Sequence, residues 1–288
     1  MEKTVTIKSD DIAIAISTKG AELQSVTGKG GTQFLWHGDE KFWTGRSPLL
    51  FPICGALKDD KYIFNNTEYH LKKHGFAMNC IFSVEDITDD KAVFLHQSND
   101  ETLKDFPFNY RLWVIYTLRG NTLNVEYKVE NASDKTMYFS IGAHEGYYCP
   151  EGIEQYSIIF EQPETLKNCV LENHLLTGET TTILENDTVL NLNYEYYKTI
   201  DTLVFKNLNS KSVTIKHKNS KKQATINFDG FPYLLFWTIP NAPYLCIEPW
   251  CGIPDSSDTD YDITKKEGIL TLKAGEKLTK THTVSFSE

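Results

Sequence analysis

The sequence predicts an all-β fold, a large antiparallel sandwich or barrel, and three observations carry that expectation. Segments rich in β-branched and aromatic residues succeed one another along the chain, most of them alternating apolar with polar, which is the period of a strand with one buried and one wet face. The stretches between them read as turns rather than helices. No βαβ rhythm is present, which argues against a doubly wound parallel sheet.

In chain order the predicted strands are TVTIKSD, IAIAIS, CIFSVEDI, KAVFLHQS, RLWVIYTL, TLNVEYKVEN, KTMYFSIG, YSIIF, SVTIKHK, ATINFD, YLLFWTI and THTVSFS. Arg119-Gly120-Asn121 predicts a tight hairpin, because Gly and Asn tolerate the positive φ such a turn requires. The run Lys216 to Lys222, KHKNSKK, reads as a solvated hairpin tip. Helix signals are weak: Asn99 to Lys104 and Asp258 to Lys266 each suit one short turn, without the length or apolar stripe of a packed helix. The polar stretch from Leu171 to Glu195 reads as a long excursion from the body, of the kind that borders a binding site. With no linker or repeat, residues 1–288 are expected to form one domain.

Composition narrows the partners. The chain is 40% hydrophobic and carries 16 Phe, 15 Tyr and 5 Trp, a globular signature. A formal net charge of −10 disfavours nucleic acid and acidic membranes, whose binders concentrate Lys and Arg on one face. No apolar run approaches the roughly 18 residues needed to cross a bilayer, and MEKTVTIKSD has no apolar signal core. A cytoplasmic location is therefore expected. The six cysteines lack CxxC spacing and fall mostly in apolar strands, so they read as reduced packing residues rather than disulfides or zinc ligands.

Four polar residues stand in apolar or turn-forming surroundings: His74, His144, Asp201 and Glu248. Glu248 ends the apolar strand YLCIEPW, where a carboxylate costs several kcal/mol unless it is hydrogen-bonded. His144 lies in IGAHEGYY, whose glycines let the backbone turn around the imidazole. His74 in KKHGFAM and Asp201 before TLVF suit a site, or equally a turn. Trp36, Trp43, Phe76, Phe231, Trp237 and Trp250 suit stacking on sugar C–H faces, or the core. There is no GxGxxG, Walker loop, GxSxG or HExxH, and the spacings of His37, His70, His74 and His144 match no metal-ligand pattern. No cofactor and no metal are expected.

Taken in order, RSPLLFPICGALKDDKY, KKHGFAM, FPFNYRLWVIYTLRGNTLNVEYKVEN, SIGAHEGYYCP, YLCIEPWCGIPD and the closing KAGE resemble the aldose 1-epimerase (galactose mutarotase) family, from about residue 5 to residue 286. The compact bacterial branch associated with lactose and galactose operons is the most similar. The resemblance implies a β-supersandwich of one domain, monomeric or homodimeric, binding a small sugar. It puts the catalytic base on Glu248, the acid on His144 and an assisting histidine on His74, with Asp201, Trp250, Trp237 and Phe76 binding substrate. Two departures stand out. Ala56 replaces an arginine usual after FPI-x-G, with Arg46 expected to take over a sugar or phosphate contact. Glu145 replaces the usual proline, and a carboxylate beside His144 would raise its pKa.

The activity implied is anomer interconversion of a hexose: Glu248 takes the C1-hydroxyl proton, His144 donates one to the ring oxygen, and the opened aldehyde recloses on its other face. The alternatives are a hexose-6-phosphate 1-epimerase, a non-catalytic carbohydrate-binding module, and a glycoside hydrolase with paired carboxylates.

Overall fold

The computed structural model describes residues 2–288. Its body is two antiparallel sheets packed face to face. The larger has nine strands, in the order Leu175–Asn191, Tyr156–Glu172, Ser212–His217, Gln223–Asn227, Lys277–Ser287, Thr122–Asn131, Tyr110–Arg119, Lys91–Gln97 and Ser83–Ile87. The smaller runs Ile141–Gly142, Tyr244–Cys251, Tyr233–Trp237, Leu203–Lys206, with Glu145–Tyr148 also paired to Tyr244–Cys251. An amino-terminal meander, Thr4–Lys8, Ile12–Ser17 and Leu23–Gly28, completes the main sheets.

Alternation explains the packing. On Tyr110–Arg119 the residues Leu112, Val114, Tyr116 and Leu118 are buried, and Leu123, Val125, Tyr127 and Val129 repeat the pattern on the neighbouring strand. These side chains share one apolar cluster with Leu234, Phe236, Leu245 and Ile247 of the smaller sheet, so the architecture is a sandwich. Each such side chain contributes about 1.5–3 kcal/mol when fully buried.

One strand is buried on both faces. Tyr244–Cys251 is covered along its whole length, because Leu245 and Ile247 enter the sandwich core while Tyr244, Cys246 and Trp250 join separate clusters on the other side. That second face forms the floor of the site.

The turns behave as their residues require. Arg119 pairs with Thr122 across Gly120-Asn121, with Gly120 at φ 56°. The lysine-rich run joins Ser212–His217 to Gln223–Asn227. Asp100–Asp105 is helical behind an Asn99 cap, and Ile263–Lys265 forms a single 3-10 turn. A short helix at Tyr196–Thr199 has no counterpart among the predicted elements. The polar excursion differs from expectation in kind: it is the outer strand of a long hairpin, 17 residues on each side, whose exposed face makes a strand look like a loop in sequence. Its tip is the two-residue turn Asn173-His174, both at positive φ, the pairing geometry of a tight hairpin.

Candidate active site

The register of one strand pair builds the centre of the site. Gly142 faces Trp250 and Glu145 faces Ile247, so the same register sets His144 opposite Glu248. The two strands do not pair regularly between those points, because Pro249 has no N–H to donate; Ala143 N–H still donates to the Pro249 carbonyl at 3.0 Å. Directly opposed residues have Cβ atoms about 4.5–5.5 Å apart, and the side chains close the remaining gap: His144 Nε2 lies 3.3 Å from Glu248 Oε2. The pair forms one contiguous floor.

Above this floor is a cavity of about 370 Å³, within the range of small-molecule sites. Trp43, Trp237 and Trp250 wall it. The indole of Trp43 stands 5.2 Å from the His144 ring and that of Trp237 5.7 Å. Trp250 packs edge-on against His74 at 5.5 Å and donates its N–H to the Ala143 carbonyl at 3.0 Å. His74 sits at φ 69°, and its Nδ1 accepts the Gly55 N–H at 3.2 Å, which leaves Nε2 as the protonated nitrogen free to donate. Gly75 makes this loop possible: it is also at positive φ, and a Cβ there would collide with the Phe51 carbonyl.

Burial sets the electrostatics. Glu248 is 1% exposed, and its carboxyl is raised well above the ordinary value, chiefly by desolvation, with Lys73 pulling it back down. The same burial lowers His144 to about 3 and holds His74 well below the ordinary histidine range. Desolvation thus disfavours charge on both partners, and two groups this close titrate as a coupled pair.

Most expected residues meet here. Glu248, His144, His74, Asp201, Trp237 and Trp250 all line the cavity. Asp201 does so at the rim, bonded to His174 Nδ1 at 2.9 Å. Arg46 does not line it: its Nε donates to the His37 carbonyl at 2.9 Å and its Nη1 bonds Gln24, so the guanidinium is held on the far side of its own loop. Phe76 is also turned away, packed against Phe51, Phe106 and Tyr110, since the turn at Gly75 that points His74 inward sends the next large side chain into the core. Trp36 and Phe231 are core residues as well.

Glu145 corrects a further expectation. As the strand neighbour of His144 it points to the opposite face, where it meets His282 of the larger sheet at 2.9 Å, both side chains buried. It is not among the causes of the His144 shift. Two titratable lining residues went unnoticed in the sequence, Lys73 and His174. Lys73 merely precedes the HGF segment and His174 occupies a hairpin tip, positions that read as ordinary surface.

Residues 3–285 match the family model described as aldose 1-epimerase. The chain belongs to the aldose 1-epimerase family. It is 33% identical over 267 residues to the plasmid-encoded protein LacX of Lactococcus lactis subsp. lactis, covering 88% of this chain and 89% of that one. Among solved structures it is similar to a galactose mutarotase related enzyme of Lactobacillus acidophilus, at 31% identity, TM-score 0.95 and coverage of 99% and 98%. A galactose mutarotase-like protein of Lactobacillus casei superposes with TM-score 0.94 at 29% identity, covering 99% of this chain and all of that one.

Proposed function

We propose that the protein interconverts the α and β anomers of a free hexose by general acid–base ring opening. The observation that carries this is the 3.3 Å contact between His144 and Glu248 on the cavity floor. In a cyclic hemiacetal the hydroxyl oxygen and the ring oxygen are bonded to the same carbon. An acid and a base that serve both must therefore reach one small region, and these two side chains are close enough to do so.

In this reading the Glu248 carboxylate accepts the C1-hydroxyl proton while His144 Nε2–H donates to the ring oxygen, breaking the C1–O5 bond. The aldehyde rotates about C1–C2, and reclosure from the other face returns both protons. Carboxylate with imidazolium and carboxylic acid with imidazole are two placements of the same proton, so one cycle leaves the pair as it began. His74 Nε2–H donates to the ring oxygen or an adjacent hydroxyl. The three indoles offer stacking faces, and Asp201 and Lys73 hold hydroxyls at the rim.

Two observations favour this over the related readings. The complete acid–base pair favours turnover over simple binding. With Arg46 turned away, Lys73 is the one Lys or Arg lining the cavity among the described residues, which favours an uncharged sugar over a phosphorylated one. Polarimetry on fresh α-galactose, α-glucose and their 6-phosphates tests the reading. Glu248→Gln should reduce kcat by about 10²–10⁴-fold, the worth of a positioned proton transfer, with KM little changed; near-normal turnover by that variant rejects the assignment.

A further inference from the structure

Cys246 lies two residues before Glu248 on the same strand, so its side chain shares the face that carries the acid–base floor. Its thiol sulfur, a ring nitrogen of His144 and a carboxylate oxygen of Glu248 all lie within 4.8 Å of one another. Glu248 also carries a buried oxygen without a hydrogen-bond partner, Oε2, the atom that faces His144 Nε2. An unsatisfied buried group costs about 1–3 kcal/mol. The Tyr244–Cys251 strand is braced on both edges and both faces, so two of the three donors project from a rigid platform.

The donor set is specific in kind. One thiolate, one imidazole and one carboxylate suit zinc and its borderline-soft neighbours rather than magnesium or calcium, which prefer all-oxygen shells. Metal–ligand lengths of roughly 2.0–2.3 Å place tetrahedral donors somewhat over 3 Å apart. The His144–Glu248 separation of 3.3 Å already meets that spacing. The Cys246 sulfur lies within 4.8 Å of both, so a side-chain adjustment closes the set.

We propose that His144, Cys246 and Glu248 form a three-ligand site for a zinc-like divalent cation, with the fourth coordination position open to the sugar cavity. Binding is a ligand exchange without redox change: the cation loses waters, bonds form to the Cys246 sulfur, a His144 ring nitrogen and a Glu248 oxygen, and both the Cys246 S–H proton and the proton carried by the His144–Glu248 pair leave to solvent. Two of the ligands are the acid and base of the proposed reaction, so metal and sugar exclude each other and the cation is a competitive inhibitor. That second consequence rests on the proposed mutarotase reading; the binding itself does not.

Cobalt(II), titrated into chelator-washed protein, tests the site directly. A thiolate-to-cobalt charge-transfer band should appear and be absent from Cys246→Ser, which keeps the other five cysteines. Zinc should displace the cobalt and slow mutarotation competitively with sugar. Cys246→Ser should keep its mutarotase activity and raise the zinc inhibition constant at least tenfold, about 1.4 kcal/mol. A band that survives the substitution, or unchanged zinc inhibition in the variant, overturns the proposal. Should Cys246→Ser fail to fold, Cys246→Ala is titrated in its place, and wild-type protein whose bound cobalt shows no thiolate charge-transfer band refutes the site. A Cys246-dependent band in a protein without mutarotase activity would uphold the metal site while rejecting the proposed function.

Discussion

Replacing Glu248 with glutamine should make the protein more stable as well as less active, and increasingly so as pH rises. The carboxyl is buried and its folded-state pKa lies well above the ordinary value because of desolvation. A group shifted in that direction contributes its full stability below its unfolded pKa, near 4.3, and loses it as pH rises toward the folded value. Each pH unit in that window costs about 1.4 kcal/mol. Glutamine keeps the shape and does not ionise, so its stability curve lacks this slope. For a domain of this size 1 kcal/mol moves Tm by roughly 2–4 °C. The variant's Tm advantage should therefore grow by roughly 3–5 °C per pH unit above pH 4.5 before levelling off. The two histidines have depressed folded values, so their contribution runs the other way, lost as pH falls below about 6.5. Reading the variant-minus-wild-type difference removes most of that background. Thermal melts by circular dichroism from pH 4.5 to pH 8 decide the matter. A difference that is flat across this range refutes the claim that Glu248 is held against its ionisation.

Other outcomes follow from the same geometry. Because burial lowers His144 to about 3, the pH–rate profile should show no acid-side inflection near the ordinary histidine value of about 6.5, which polarimetry from pH 4 to pH 9, corrected for the spontaneous rate, will reveal. Glu145→Ala strands His282 in the core, and breaking a buried pair costs about 3–5 kcal/mol; a Tm drop of roughly 10 °C is expected, read by calorimetry. Lys73→Met removes the cation at the rim and should raise the sugar KM about tenfold, the worth of a charge-assisted hydrogen bond, with a smaller change in kcat. Gly75→Ala places a methyl against the Phe51 carbonyl at positive φ and should both destabilise the protein and reduce kcat by misplacing His74, measured by melts and polarimetry together.

What the sequence shows well is what depends on local contrast. Glu248 and His144 are legible because a carboxylate and an imidazole are conspicuous among apolar and glycine neighbours, and strand alternation reveals the sandwich for the same reason. Less visible is anything settled by the path of a loop. Arg46 sits near the family segment in sequence, yet its guanidinium is captured by Gln24 and the His37 carbonyl, partners that no local pattern announces. Phe76 is one residue beyond a glycine turn, and that turn inverts which of two adjacent large side chains faces the cavity. Lys73 and His174 look like solvated surface because half of each environment is solvent; the other half is assembled by segments distant in the chain, Asp201 for His174 among them. The strand Leu175–Asn191 hides for a related reason, since its outer face is wet and its pairing carries the register that its composition does not.

The double burial of Tyr244–Cys251 has an evolutionary consequence. One side of that strand anchors the hydrophobic interior and the other bears the reactive carboxylate, so a change that shifts its backbone disturbs folding and chemistry together. The hairpin tip at Asn173-His174 and the bend through Lys72 and Lys73 are exposed and lie outside that strand, bordering the cavity through His174 and Lys73. New sugar preferences would arise by remodelling those peripheral turns over an inherited catalytic base plate, which makes them the places to randomise when a different substrate is sought.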